Sequence, residues 1–362
     1  MLNEYIVSGT MFYGDDPEVR EGYLVIRDGK IKEVCFERHE GGISGVICPA
    51  FINSHSHVGD SLAKDLPYMP LVDLVAPPDG LKHKILASAS REDIADGIRS
   101  TLRDMERTGT WNFIDFRENG VEGVRLLREL AGPRAFILGR ATLTDTIDDV
   151  LKVSDGVGIS GANDIPRETL YSTVEKAKKL GKTVGIHAGE LNRSDVDTAI
   201  DIMPDFLVHM TQAIGADIKR VSEQNIPVIV CPRSNMITGV GMPPLKKMAE
   251  AGVSMAIGTD NVMLNSPNVF SEMEWVSKAF LHDDAYTLKM ATINGAKIMG
   301  REKTTGSIEA GKDADILVFD RDSDNLRGSR NILSSIVRRG RPDDIIYSIH
   351  GGIICQKYST RS

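Results

Sequence analysis

Ile52-Asn53-Ser54-His55-Ser56-His57 follows the apolar run Cys48-Pro49-Ala50-Phe51, which reads as a buried strand. Side chains at i and i+2 of a strand point to the same face, so His55 and His57 share one side. If that side is the inside of a barrel, both imidazoles enter one cavity, where they can grip one metal ion. Taken alone, His-x-His is equally compatible with two polar residues leaving a strand for solvent.

Outward from this stretch the chain alternates. Residues 58–89 are rich in Pro and Gly and show no period. Beyond them, strands are expected at 111–116, 135–139, 156–159, 183–187, 206–209, 227–231 and 254–258. Helices are expected at 91–107, 122–130, 145–153, 166–180, 194–203, 216–224, 245–251, 269–280 and 286–299. Counted from residue 49, this makes eight strands, each followed by a helix. Over about 250 residues that is the size and order of a closed parallel (β/α)8 TIM barrel. An open doubly wound sheet is the rival, but no Gly-x-Gly-x-x-Gly follows the first strand.

Both ends have a different texture. Tyr23–Ile26 and Ile31–Val34 flank Asp28-Gly29, a hairpin signal. Near the other end, Ala314–Phe319, Ile332–Val337, Ile345–Ile349 and Ile353–Cys355 read as strands. Two β-rich ends around an alternating middle predict that the termini pair into one small sheet domain, built from residues 1–48 and 306–362, beside a barrel domain of 49–305.

The 362 residues carry a formal charge of −8, which argues against nucleic acid or an anionic membrane as partner. No apolar run approaches the roughly 20 residues that cross a bilayer, and Met1-Leu2-Asn3-Glu4 opens no signal peptide. The four cysteines form no Cys-x-x-Cys pair, as expected of thiols in a reducing cytoplasm. A small-molecule substrate is expected, and a homo-oligomer is left open.

Reactive groups of such barrels sit at the C-terminal strand ends. Here those ends carry His55 and His57, His187 with Glu190 three residues on, His209, and Asp260. A lone strand-end histidine is more often structural; four histidines and two carboxylates on one rim are a far rarer accident. His55, His57, His187 and Asp260 suit Zn²⁺ or Fe²⁺ with a further position for water. Such an ion lowers the pKa of bound water from about 15.7 towards 7. Glu190 and His209 remain as acid–base groups within reach. Arg117 and Arg140 follow the second and third strands and could hold an anionic or carbonyl-bearing part of a substrate, or equally pair with rim acids such as Glu118. Asp65 ends the most polar part of the 58–89 excursion, as a specificity residue or an ordinary solvated charge.

Pro49–His57, His187-Ala188-Gly189-Glu190, His209, Cys231-Pro232-Arg233-Ser234-Asn235, Gly258-Thr259-Asp260, Thr292–Ala296 and Gly306–Asp315 together resemble the amidohydrolase superfamily, in its cytosine-deaminase and chlorohydrolase-like branch. The resemblance implies a barrel carrying a β-sandwich from both termini. It implies that His55, His57, His187 and Asp260 ligate one metal ion and that Glu190 shuttles a proton. His209 would hydrogen-bond the attacking water or the substrate, and Asp260 would double as base. Binuclear relatives need a lysine on the fourth strand; Gly156–Gly161 has none. The other zinc deaminase pattern, His-x-Glu with Pro-Cys-x-x-Cys, does not occur. The expected activity is deamination of an amino-substituted pyrimidine, purine, pterin or related amidine. The alternatives are release of a halide or ring amide by the same machinery, and a non-catalytic barrel, which should lack ligands.

Overall fold

The computed structural model describes residues 4–76 and 79–357; residues 1–3, 77–78 and 358–362, which the expected terminal domain and the 58–89 excursion include, lie outside the described residues. The chain divides into two compact units, Met1–Ile52 with Met105–Asn112 and Val269–Ser362, and Asn53–Asp104 with Phe113–Asn268.

In chain order the strands are β1 (Glu4–Tyr13), β2 (Glu18–Arg27), β3 (Lys30–Cys35), β4 (Ile43–Pro49), β5 (Phe51–His57), β6 (Thr110–Arg117), β7 (Ala135–Gly139), β8 (Gly156–Ile159), β9 (Thr183–Ala188), β10 (Phe206–His209), β11 (Val228–Val230), β12 (Met255–Ile257), β13 (Asp260–Asn261), β14 (Ile316–Phe319), β15 (Ile345–His350) and β16 (Ile353–Lys357).

The barrel sheet runs β12-β11-β10-β9-β8-β7-β6-β5-β13. Its two ends, β12 and β13, are one stretch of chain interrupted at Gly258-Thr259, so the eighth strand pairs with β11 on one side and β5 on the other. That pairing closes a (β/α)8 barrel. Every residue of β5, β7, β8 and β10 is buried, as expected where a parallel sheet is covered on both faces. The strands expected at 135–139, 156–159 and 206–209 have those bounds.

The terminal segments form one seven-stranded sheet, ordered β16-β15-β14-β4-β1-β2-β3. The hairpin signal holds: Arg27 pairs with Lys30, and Asp28 and Gly29 both take left-handed backbone, φ 54° and 78°, as the tight turn requires. Val7, Leu24, Ile47, Ile316, Val318 and Ile349 share one apolar cluster, so strands from both ends of the sequence bury each other.

Three expectations need correction. Ile332–Val337 is not a strand but part of a helix, Ile332–Arg339, whose buried Ile332, Leu333, Ile336 and Val337 lie on one helical face. Asn331 caps it, its side chain accepting from Ser334 N–H; the β-branched residues disguised it. The helix expected at 286–299 is two, Asp284–Met290 and Ile293–Ile298, parted at Ala291-Thr292, where turns tighten to i−3 bonds. The 58–89 excursion contains helical pieces at Val58–Ala63, Leu71–Val75 and Leu81–Ser88.

Candidate active site

The barrel strands deliver five side chains to one point. Val208 of β10 pairs with His187 of β9, and Asn261 of β13 with His57 of β5, so strand register sets the imidazoles side by side. His209 and Asp260 both adopt left-handed backbone, φ 74° and 60°. Non-glycine residues are held there only when surroundings over-determine them, often at functional sites. Phe116 packs beneath, its ring 4.6 Å from that of His55 and 4.9 Å from that of His187.

The tautomers are set from behind. His187 Nδ1 lies 2.9 Å from the Ile159 carbonyl oxygen, and His57 Nδ1 lies 3.1 Å from both the Phe116 carbonyl and Glu118 Oε1. Both rings therefore carry the proton on Nδ1 and turn a bare Nε2 inward. His55 Nε2 lies 3.2 Å from His187 Nε2 and 3.2 Å from Asp260 Oδ1; His57 Nε2 lies 3.4 Å from the same oxygen. One proton on His55 Nε2 can serve only one of these neighbours, which leaves lone pairs aimed at each other. That donor set fits a divalent ion: neutral imidazoles and a carboxylate are what such ions bind. Burial keeps the rings neutral, pushing His55 down, His57 down to about 3 and His187 well below its usual value. Burial pushes Asp260 up, but the His55 hydrogen bond and the surrounding imidazoles bring it well below the carboxylate range. Asp260 Oδ2 accepts from the Ser234 hydroxyl at 2.5 Å.

The donor atoms of His55, His187, His209 and Asp260 all lie within 4.8 Å of one another, so His209 joins three of the four ligands expected from the sequence, while the fourth, His57, meets the group through Asp260 Oδ1. It is held differently. Its Nδ1 donates to Asn235 Oδ1 at 3.0 Å, and its Nε2 lies 3.6 Å from Glu190 Oε2. Asn235 in turn donates to Thr211. Glu190 stands at the edge of the site, its side chain one-fifth exposed, and burial raises its pKa.

A cavity of about 260 Å³ opens over these groups. Arg140 lines it, its Nε donating to the Gly158 carbonyl at 3.1 Å. Arg117 does not: of its two expected roles, the structure places it against the acids rather than at the cavity. Phe116 takes the face of β6 that meets the imidazoles, and alternation turns Arg117 away. Its guanidinium, 1% exposed, lies 3.6 Å from Glu118 and 4.0 Å from Asp115. Asp65 is exposed and is not part of the lining either; its amide bonds the Met263 carbonyl.

Sequence reasoning missed Lys82, which lines the cavity and pairs with Glu118 at 2.6 Å. A ligating histidine needs an acceptor on its far nitrogen. A carboxylate just past β6 was the available signal, and a lysine in the adjoining excursion was its counter-charge. Burial pushes Glu118 up, yet Lys82, His57 and Arg117 hold it well below the usual range.

The amidohydrolase family model matches residues 46–354. A putative aminohydrolase of Methanothermobacter thermautotrophicus is 36% identical over 394 residues, covering 98% of this chain and 100% of that one. A 5-methylthioadenosine/S-adenosylhomocysteine deaminase of Thermoanaerobacter pseudethanolicus is 28% identical over 386 residues, covering 93% and 88%. An adenosine deaminase structure from Xanthomonas campestris, with bound zinc, shares the fold at a TM-score of 0.81 and 22% identity, covering 96% of this chain and 91% of that one. With most of its length matched, and with the barrel and histidine-lined rim in place, the chain belongs to the amidohydrolase family.

Proposed function

We propose that this protein is a mononuclear metal-dependent aminohydrolase that deaminates an amino-substituted heterocycle: a pyrimidine, purine, pterin or related amidine. One observation carries the reading: three inward Nε2 atoms and the Asp260 carboxylate meet beneath a cavity that also holds a raised-pKa acid, Glu190. Similarity to proteins named aminohydrolase and deaminase supports it.

His55, His57, His187 and Asp260 hold one divalent ion, Zn²⁺ or Fe²⁺, which when bound supplies Lewis acidity toward water and substrate. The chain's own groups do the rest. Asp260 takes a proton from the attacking water, with Ser234 keeping its other oxygen occupied. Glu190 gives its proton to a ring nitrogen as the amino-bearing carbon becomes tetrahedral, so that charge does not build on the ring. The proton removed from water returns to the departing amine, ammonia leaves, and the remaining hydroxyl proton passes back to Glu190 as the carbonyl forms. His209, its Nδ1–H held by Asn235, presents Nε2 to the attacking water or the substrate. Arg140 holds a carbonyl or anionic substituent.

The catalytic domain spans 49–305, with 1–48 and 306–362 forming the accessory domain. The protein works in the cytoplasm on a small molecule; among the described residues no helix is long and apolar enough to cross a membrane. The test is a panel of amino-heterocycles incubated with metal-loaded enzyme, read by ammonia release. Halide or amide products without ammonia would replace deamination. Elemental analysis should find one ion per chain, and two ions with a carboxylated lysine would overturn the mononuclear reading.

A further inference from the structure

Lys82 has no part in the chemistry above, yet it is 3% exposed, and a buried lysine needs a partner. Its ammonium lies 2.6 Å from Glu118 Oε1 and 3.5 Å from Asp60 Oδ2. Asp60 is already engaged, accepting from Asn261 Nδ2 at 2.8 Å and the Met263 amide at 3.0 Å, so Glu118 is the principal partner. The same Glu118 oxygen lies 3.1 Å from His57 Nδ1. A continuous contact thus runs from the excursion to a ligand of the proposed metal centre.

The two ends of that contact differ in rigidity. His57 sits on a fully buried strand. Lys82 sits on Leu81–Ser88, an eight-residue helix whose only buried residues are Lys82 and Leu86. A helix that short is marginal without tertiary anchors, and the buried ion pair is one of them, beside buried Leu86 and the packing of Ile85 against Ala63, Leu74 and Met263. Leu71, Val75 and His83 of the same excursion line the cavity. Docking of Leu81–Ser88 brings Lys82 and His83 to the cavity wall, and His83 Nε2 meets the Val75 carbonyl of the neighbouring helix.

We propose that Lys82 is a positioning residue that couples metal binding at His57 to docking of the Leu81–Ser88 helix beside the cavity. With Lys82 in place, Glu118 Oε1 is held between the ammonium and His57 Nδ1–H, which keeps Nε2 inward. A metal that fixes His57 in turn fixes Glu118 and strengthens the anchor, because coupling between sites is reciprocal. The inference rests on the reading of His57 as a ligand.

The experiment uses the full chain, with zinc as the probe. Zinc affinity is measured by chelator competition, and backbone hydrogen exchange is followed in peptides covering 79–90. Lys82→Met should weaken zinc binding by about 10–100-fold, the usual effect of losing outer-shell support. In the native sequence zinc should slow exchange in 79–90; in Lys82→Met it should not. Lys82→Arg should restore most of both effects. Lys84→Met, on an exposed position of the same helix, should change neither. Native zinc affinity and zinc-dependent protection in Lys82→Met would overturn the proposal. So would a loss of protection spread equally over β10 and β11, which marks general destabilisation. If Lys82→Met does not fold, Glu118→Gln decides: it keeps an acceptor for His57 but must lose the zinc-dependent protection of 79–90. A native chain that binds no zinc would instead overturn the metal reading itself.

Discussion

Three of the four imidazoles of the site are oriented by what the outer nitrogen touches: Ile159 for His187, Phe116 and Glu118 for His57, and Asn235 for His209. Glu190 lines the cavity, facing only His209 Nε2, at 3.6 Å, among these imidazoles. Glu190→Gln preserves shape but carries no proton, so the variant should keep its metal and lose turnover by about 10²–10⁴-fold. Near-normal kcat in a fully metal-loaded variant would remove Glu190 from the mechanism. Asp115 makes a different prediction. Its Oδ2 accepts from the Val58 amide and the Ser56 hydroxyl, while Oδ1 has no hydrogen-bond partner. Burial, opposed by Arg117, pushes its pKa up to about 7. A carboxyl raised in the folded state is protonated there while its unfolded counterpart is ionised. Stability therefore falls as pH rises from the unfolded value near 3.8 through about 7. Asp115→Asn keeps the acceptor and removes the charge. In metal-free protein, thermal melts should show the variant more stable at pH 8, by about 2–4 °C for each kcal/mol recovered, and little changed at pH 5.

At the scale of the element, the eighth strand is the revealing one. It breaks between β12 and β13, and at the break Gly258 passes against β5. A Cβ on Gly258 would sit 2.5 Å from His55 Cβ and 2.8 Å from His55 N. Neither atom can yield without moving the strand that carries both His55 and His57. Thr259 is fixed in the same place, its amide donating to the His55 carbonyl and to Asn53 Oδ1. Gly258→Ala should therefore lower the melting temperature, overpacking typically costing about 1–3 kcal/mol, and also lower the metal content of purified protein. Full metal stoichiometry with an unchanged melt would show that the barrel seam tolerates a methyl group.

At the scale of the molecule, the seven-stranded sheet joins sequence ends more than 260 residues apart: β14 pairs with β4, Ile316 opposite Pro49 and Phe319 opposite Val46. Ile308, Ala314, Ile316, Val318 and Ile349 complete an apolar cluster begun by Val7, Leu24 and Ile47. Removing residues 306–362 would bare that face and leave β4 with an unpaired edge, both of which favour aggregation. The truncated chain should be insoluble or melt well below the full one. A soluble truncation with an unchanged melting temperature would contradict a single domain built from both ends.

Local pattern determined much of this protein. Strand alternation put His55 and His57 on one face, and the β/α rhythm placed His187, His209 and Asp260 at strand ends, because these follow from backbone periodicity and a fold rule that need no distant partner. The Asp28-Gly29 turn is likewise local, set by which residues accept left-handed backbone. Tertiary structure alone decided the rest. Residues 332–337 carry as much β-branched character as a strand, and burial of Ile332, Leu333, Ile336 and Val337 along one face settles them as a helix. Arg117 had two readings, cavity or acid partner, and Phe116 on the cavity face of β6 decided for the acids. Lys82 and Glu118 are 36 residues apart, and only burial beside His57 makes the pair meaningful, since a charge taken out of water must find its counter-charge wherever the chain brings one.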